Sequence, residues 1–144
     1  FPRMFIKDTR ILISTRQKST KDLYAVLSNW HLIVYMYLTN SENDEVVYAW
    51  DQGLFQAIWS IYFTSQIEFD GYDLVKDKKL PKIIYLTDAK DEELLKREKL
   101  RKKTIRLNYA SRDHLSSGRK ALEKTIELIE KLGYERSNLD RGGK

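Results

Sequence analysis

The 144-residue sequence contains no cysteine, which excludes a disulfide framework and any thiolate metal site. His31 and His114 are its only histidines, so a multi-histidine metal centre is excluded as well. No glycine-rich phosphate loop or dinucleotide fingerprint occurs. Arg112-Asp113-His114 with Ser116 and Ser117 holds the residue types of a catalytic triad, but adjacency in sequence cannot make triad geometry. No uninterrupted apolar run is long enough to span a membrane: Leu54–Phe69 is broken by Gln56, Ser60, Thr64, Ser65, Gln66 and Glu68. A signal-peptide pattern, internal repeats and low-complexity segments are likewise missing. These absences lead to the expectation of an intracellular protein, cytoplasmic or nuclear, that does not engage membranes. Phe1 in place of Met marks an expected piece of a longer or processed chain.

What is present describes a globular chain, 42% hydrophobic and 33% charged. Its length predicts one α+β domain over 1–134, with a core at 52–109 and a polar tail at 135–144. The net charge of +5 is unevenly spread. Residues 31–70 carry no Lys or Arg, six acids and nine of the seventeen aromatics. That stretch reads as buried core rather than as base-stacking platforms.

Residues 10–15 read as a short strand. Ser19-Thr-Lys-Asp22 has the spacing of an approximate capping box and opens a helix to about Ser28. His31–Thr39 and Glu45–Trp50, rich in Val, Ile and Tyr, read as a hairpin. Gln52–Ser65 is apolar nearly all round and long enough for a buried helix, with Asp51 as N-cap. Three antiparallel strands follow at 66–69, 72–76 and 82–87, then a charged helix at 91–103 and a strand at 104–109. The last helix carries Ala121, Leu122, Ile126, Ile129 and Leu132 on one face and stops at Gly133.

One constellation carries chemistry. A hairpin centred near Leu80 and Pro81 brings Asp73 opposite Asp88, and Lys90 follows Asp88 on the same strand face because side chains alternate with period two. Two carboxylates suit Mg²⁺, which takes one or two protein carboxylates plus waters and a phosphate oxygen. Lys90 would stabilise charge on the scissile phosphate. The strand order, Asp73 and the Asp88-Ala89-Lys90 triplet together resemble the core of the PD-(D/E)xK, restriction-endonuclease-like nucleases. The Asp-Gly-Tyr-Asp-Leu-Val run is similar to the Gly-x-Asp-Leu stretch of Mrr-type members. The resemblance covers roughly sixty residues in the sense of a short motif match. It implies a mixed, largely antiparallel sheet flanked by helices. It also implies a metal-dependent nuclease, or a degenerate relative that binds nucleic acid, with Asp73, Asp88 and Lys90 as catalytic residues and Asp73 and Asp88 as Mg²⁺ ligands. The family's further acid on the preceding helix is missing from Gln52–Ser65, leaving Glu68 or Asp70 as substitutes. The bland readings are that Asp88 caps the following helix and Asp73 is a turn residue.

Nucleic acid as partner is also expected from charge. Lys96, Arg97, Lys99, Arg101, Lys102, Lys103 and Arg106 fall within eleven residues, and Lys76, Lys78, Lys79 and Lys82 extend the positive surface along the neighbouring turn. A solvated helix accounts for the same pattern, since Asp91, Glu92 and Glu93 open it and cations close it. An alternative fold is ferredoxin-like, βαββαβ, with strands near Ile11, Ile33, Val46 and Ile83. It separates Asp73 from Asp88 and leaves a non-catalytic protein-interaction or structural domain among other subunits of a larger assembly.

Overall fold

The computed structural model describes residues 2–40, 48, 49, 53–86, 90–100, 112–135, 140 and 141, with side chains described for all of these but 97–100, 112, 140 and 141. The described residues form six helices: α1 (Pro2–Ser14), α2 (Thr20–Asn40), α3 (Leu54–Thr64), α4 (Tyr72–Val75), α5 (Asp91–Leu100) and α6 (Arg112–Lys131). Two strands of two residues each, β1 (Tyr85–Leu86) and β2 (Asp140–Arg141), pair in parallel. The chain divides into two compact units, Phe1–Leu80 and Pro81–Lys144, and that boundary falls inside the expected core at 52–109.

This architecture overturns the α+β expectation in both its forms. Residues 10–15, expected as a strand, lie almost wholly in α1, and residues 31–39 continue α2. Residues 72–75 are helical instead of extended, and among the described residues of 82–87 only Tyr85 and Leu86 are paired, with β2 and not with residues 72–76. Among the described residues neither a restriction-endonuclease-like sheet nor a ferredoxin-like one is built. The reason lies in burial at helical spacing. Asp8 and Leu12 on α1, and Val26, Trp30, Ile33 and Val34 on α2, repeat every three or four residues and all turn inward. The strand preference of Val, Ile and Tyr is weak against a buried stripe of that length.

Within the first unit, α2 begins where the capping motif places it. Ser19 Oγ accepts from the Asp22 backbone N–H at 3.0 Å and donates to the Asp22 carboxylate at 2.7 Å. Between α1 and α2 the chain reverses at Arg16, whose φ of 49° is a left-handed conformation uncommon outside glycine. That turn is fastened to the end of α3: Gln17 bridges Ser65, Gln66 N–H donates to the Arg16 carbonyl at 3.0 Å, and Ser65 Oγ donates to the Thr15 carbonyl at 2.8 Å. α3 packs on α2 and buries Leu54, Phe55, Ala57, Ile58 and Ile61. Its N-cap position is Gly53, without a side-chain cap; the expected cap Asp51 lies outside the described residues. Burial pushes the Tyr37 hydroxyl up, partly offset by a hydrogen bond with the Leu54 backbone. The short α4 closes the unit by burying Leu74 and Val75 completely.

In the second unit, α6 buries Ala121, Thr125, Ile126, Leu128 and Ile129. It ends at Gly133, where a φ of 94° and a hydrogen bond from Tyr134 N–H to the Ile129 carbonyl turn the chain away. Arg119 holds one Asp91 oxygen through Nε at 3.0 Å and Nη2 at 2.9 Å, joining α6 to the start of α5. The Tyr134 hydroxyl donates to the Pro81 carbonyl. The residues of the expected strand at 104–109 lie outside the described ones, and part of the expected polar tail, Asp140–Arg141, is β2.

Candidate functional site

The strand expected to carry Asp73 is not formed, because residues Tyr72–Val75 are helical. Asp73 sits on α4, exposed, with its carboxylate 2.5 Å from the Lys76 ammonium one turn along. Asp88 lies outside the described residues. Lys90 belongs to the other unit and occupies the cap position of α5, where its backbone carbonyl accepts from the N–H groups of Glu93 and Leu94 at 3.0 Å. Among the described residues no three His, Asp or Glu side chains gather into a metal-binding group.

The predicted cationic surface is also redistributed. Lys76 is held by Asp73, whose hydrogen bond and charge raise the Lys76 pKa. Lys78 is not a surface cation: its side chain is 6% exposed and its Nζ lies 2.9 Å from Asp8 Oδ2. A polyanion cannot reach an ammonium already buried against a carboxylate. Lys79, Lys82 and Lys96 are exposed, and Arg97 and Lys99 fall on α5 with side chains outside the description. Arg101, Lys102, Lys103 and Arg106 lie outside the described residues.

The buried charged constellation of the first unit, among the described residues, is Asp8, Trp30 and Lys78. Asp8 Oδ2 accepts from the Trp30 indole N–H at 2.8 Å and from Lys78, while Lys78 Nζ also donates to the Leu74 carbonyl at 2.5 Å. The same ammonium stands 5.4 Å from the centroid of the Trp30 ring. Asp8 is fully buried, and its Oδ1 has no hydrogen-bond partner among the described residues. The cluster ties α1, α2 and the segment after α4 into one body. A second link, Lys7 to Asp77 at 2.5 Å, is exposed and runs between the same segments. The hydrogen bond from Lys7 holds the Asp77 carboxyl below its ordinary value. Any stability it contributes is therefore present above the ordinary carboxylate pKa and is lost as pH falls through the lowered one.

The outer side of the α1–α2 pair carries the surface that sequence reading missed. Ile6 and Ile13 lie two turns apart on α1, and Tyr24 and Tyr35 three turns apart on α2, so each pair forms a stripe. With Leu32 at the edge, all five side chains are more than half exposed. Phe5 and Thr9 of α1 meet His31 of α2 at the seam between the stripes. The Phe5 and His31 rings are 5.1 Å apart, and Thr9 Oγ1 is 3.2 Å from His31 Nε2. Since the Thr9 hydroxyl already donates to the Phe5 carbonyl at 2.7 Å, the His31 nitrogen is the donor to Thr9. The signal for this face was the helical spacing of apolar residues in 2–14, which a strand reading of residues 10–15 conceals.

No family model, curated protein or solved structure matches this chain.

Proposed function

We propose that the chain is a non-catalytic protein-interaction module whose contact surface is the outer side of the α1–α2 pair. The observation that carries this reading is the gathering of Ile6, Ile13, Tyr24, Leu32 and Tyr35, all more than half exposed, on that one side. Single exposed apolar residues are ordinary, but a contiguous set on adjoining helices marks a binding surface. Tyrosines at its centre and arginines nearby match the composition of protein contacts. No helix among the described residues is long and apolar enough to cross a membrane.

The reading is tested by replacing Ile6, Ile13 and Tyr35 together with Thr, Thr and Ser. Because these side chains are exposed, each change should alter stability by no more than about 0.5 kcal/mol. In native gels of the source cells, the wild-type chain should migrate in an assembly larger than its own 17.1 kDa, and the triple variant as the free chain. A wild-type chain that migrates alone contradicts the reading.

A second reading keeps nucleic acid as the partner. It is supported by the density of cations in Lys96–Arg106 and by exposed Lys79, Lys82 and Lys96. Reversing charge at Arg101, Lys102 and Lys103 should then weaken duplex binding and flatten its salt dependence by roughly one unit of slope for each phosphate no longer neutralised. Absence of wild-type binding to DNA or RNA at low salt would leave these cations as a solvated helix face.

A further inference from the structure

The interaction face has a charge pattern that specifies its occupant. Residues 1–40 contain six cations and two acids, Asp8 and Asp22. Asp8 is buried in the core, and Asp22 turns back to its Ser19 cap on the opposite flank of α2. Among the described residues, α1 and α2 contain no other carboxylate. Of the cations, Lys7 is paired with Asp77, and Lys18 donates to the Phe63 carbonyl and covers its ring. Arg3, Arg10 and Lys21 are exposed and have no ion-pair partner among the described residues. On the helical wheel Arg3 and Arg10 border the Ile6–Ile13 stripe, and Lys21 falls between Tyr24 and Leu32 on the outer edge of α2. Apolar stripes in the middle thus have Arg3 and Arg10 along one edge and Lys21 on the other.

We propose that this face binds an acidic amphipathic helix of a partner protein, an inference that rests on the interaction-module reading above. The partner's apolar ridge would lie along the Phe5–Thr9–His31 seam between Ile6 and Ile13 on one side and Tyr24 and Tyr35 on the other, with its carboxylates reaching Arg3, Arg10 and Lys21. The thirteen residues of α1 give a track of about 20 Å, long enough for roughly four turns. A second copy of this chain fits badly, because two cationic rims would oppose each other.

The test uses the full chain and a synthetic Leu/Glu amphipathic peptide of about 18 residues, followed by fluorescence anisotropy at two salt concentrations. A Leu/Lys peptide of the same pattern, phosphatidylserine vesicles and a DNA duplex serve as comparison probes. The Leu/Glu peptide should bind, more weakly at higher salt. Arg3→Glu with Arg10→Glu should reduce affinity about tenfold or more, and Tyr35→Ala should do so without changing the salt dependence. Circular dichroism of each variant should match the wild type. If the Leu/Lys peptide binds instead, or Tyr35→Ala-sensitive binding falls only on vesicles or duplex, the acidic-helix occupant is wrong. Binding of the Leu/Lys peptide alone leaves the interaction-module reading standing. If no probe binds and the chain also migrates alone in the source cells, both the occupant and the interaction-module reading fail. Leu/Glu binding indifferent to the Arg3 and Arg10 reversals overturns the proposal as well.

Discussion

Lys78→Met is expected to destabilise the first unit by about 3–5 kcal/mol, because it leaves the Asp8 carboxylate buried beside the Trp30 indole without a counter-charge. Asp8 is fully buried on a short side chain and cannot reach water. The reverse change is milder. In Asp8→Asn the amide oxygen still accepts from Trp30. The Lys78 ammonium, on a four-carbon stem and 6% exposed, can swing toward solvent. A loss of about 1–3 kcal/mol is expected there. The double change Asp8→Leu with Lys78→Met should cost much less than the sum of its parts, since replacing a buried pair by apolar groups removes both desolvation penalties at once. Urea unfolding followed by tryptophan fluorescence reads this unit alone, because Trp30, Trp50 and Trp59 all precede Leu80. A Lys78→Met variant within about 0.5 kcal/mol of wild type would show that the ammonium is not buried against Asp8.

Trp30→Ala should cost a comparable amount, about 3–5 kcal/mol, for a different reason. The indole is fully buried at the centre of α2 and supplies both packing volume and the N–H donor to Asp8. Trp30→Phe separates the two contributions. It keeps most of the ring and removes the donor, so a loss of about 1–3 kcal/mol is expected from the under-satisfied carboxylate. Equal losses for Ala and Phe would place the whole effect in the hydrogen bond. A negligible loss for Phe would place it in packing.

The helices that were legible in the sequence are those with an unambiguous signal at one end or all along. Ser19 and Asp22 announced the start of α2, the acid-first, base-last order announced α5, and Gly133 marked the end of α6. The apolar run at 52–65 gave α3 through its length alone. What failed was the stretch where β-branched and aromatic residues sit on a helix. Ile11-Leu12-Ile13 and Ile33-Val34-Tyr35 look extended by local preference, yet in each triplet one or two residues turn inward and the others face out at helical angles. Tertiary burial decided those segments, and only the spacing of Asp8, Leu12, Trp30 and Val34 across two helices carries that information.

The expected strand at 72–76 failed for the same reason. An Asp-x-Lys triplet acquires chemistry only from the strand that aligns it with a second acid, and residues 72–76 form a helical turn because Leu74 and Val75 must both be buried. Lys78 was counted as a surface cation because its partner lies seventy residues earlier in the sequence, on α1. Nothing local distinguishes it from Lys79.

The central claim is that the chain acts through the outer side of α1 and α2, and hydroxyl-radical footprinting of the free and assembled chain tests it most directly. Assembly should protect Ile6, Ile13, Tyr24 and Tyr35 from oxidation and leave Ile83 and Tyr85, exposed residues of the second unit, oxidised as before. Unchanged oxidation of Tyr24 and Tyr35 in the assembly, with protection elsewhere, would contradict it.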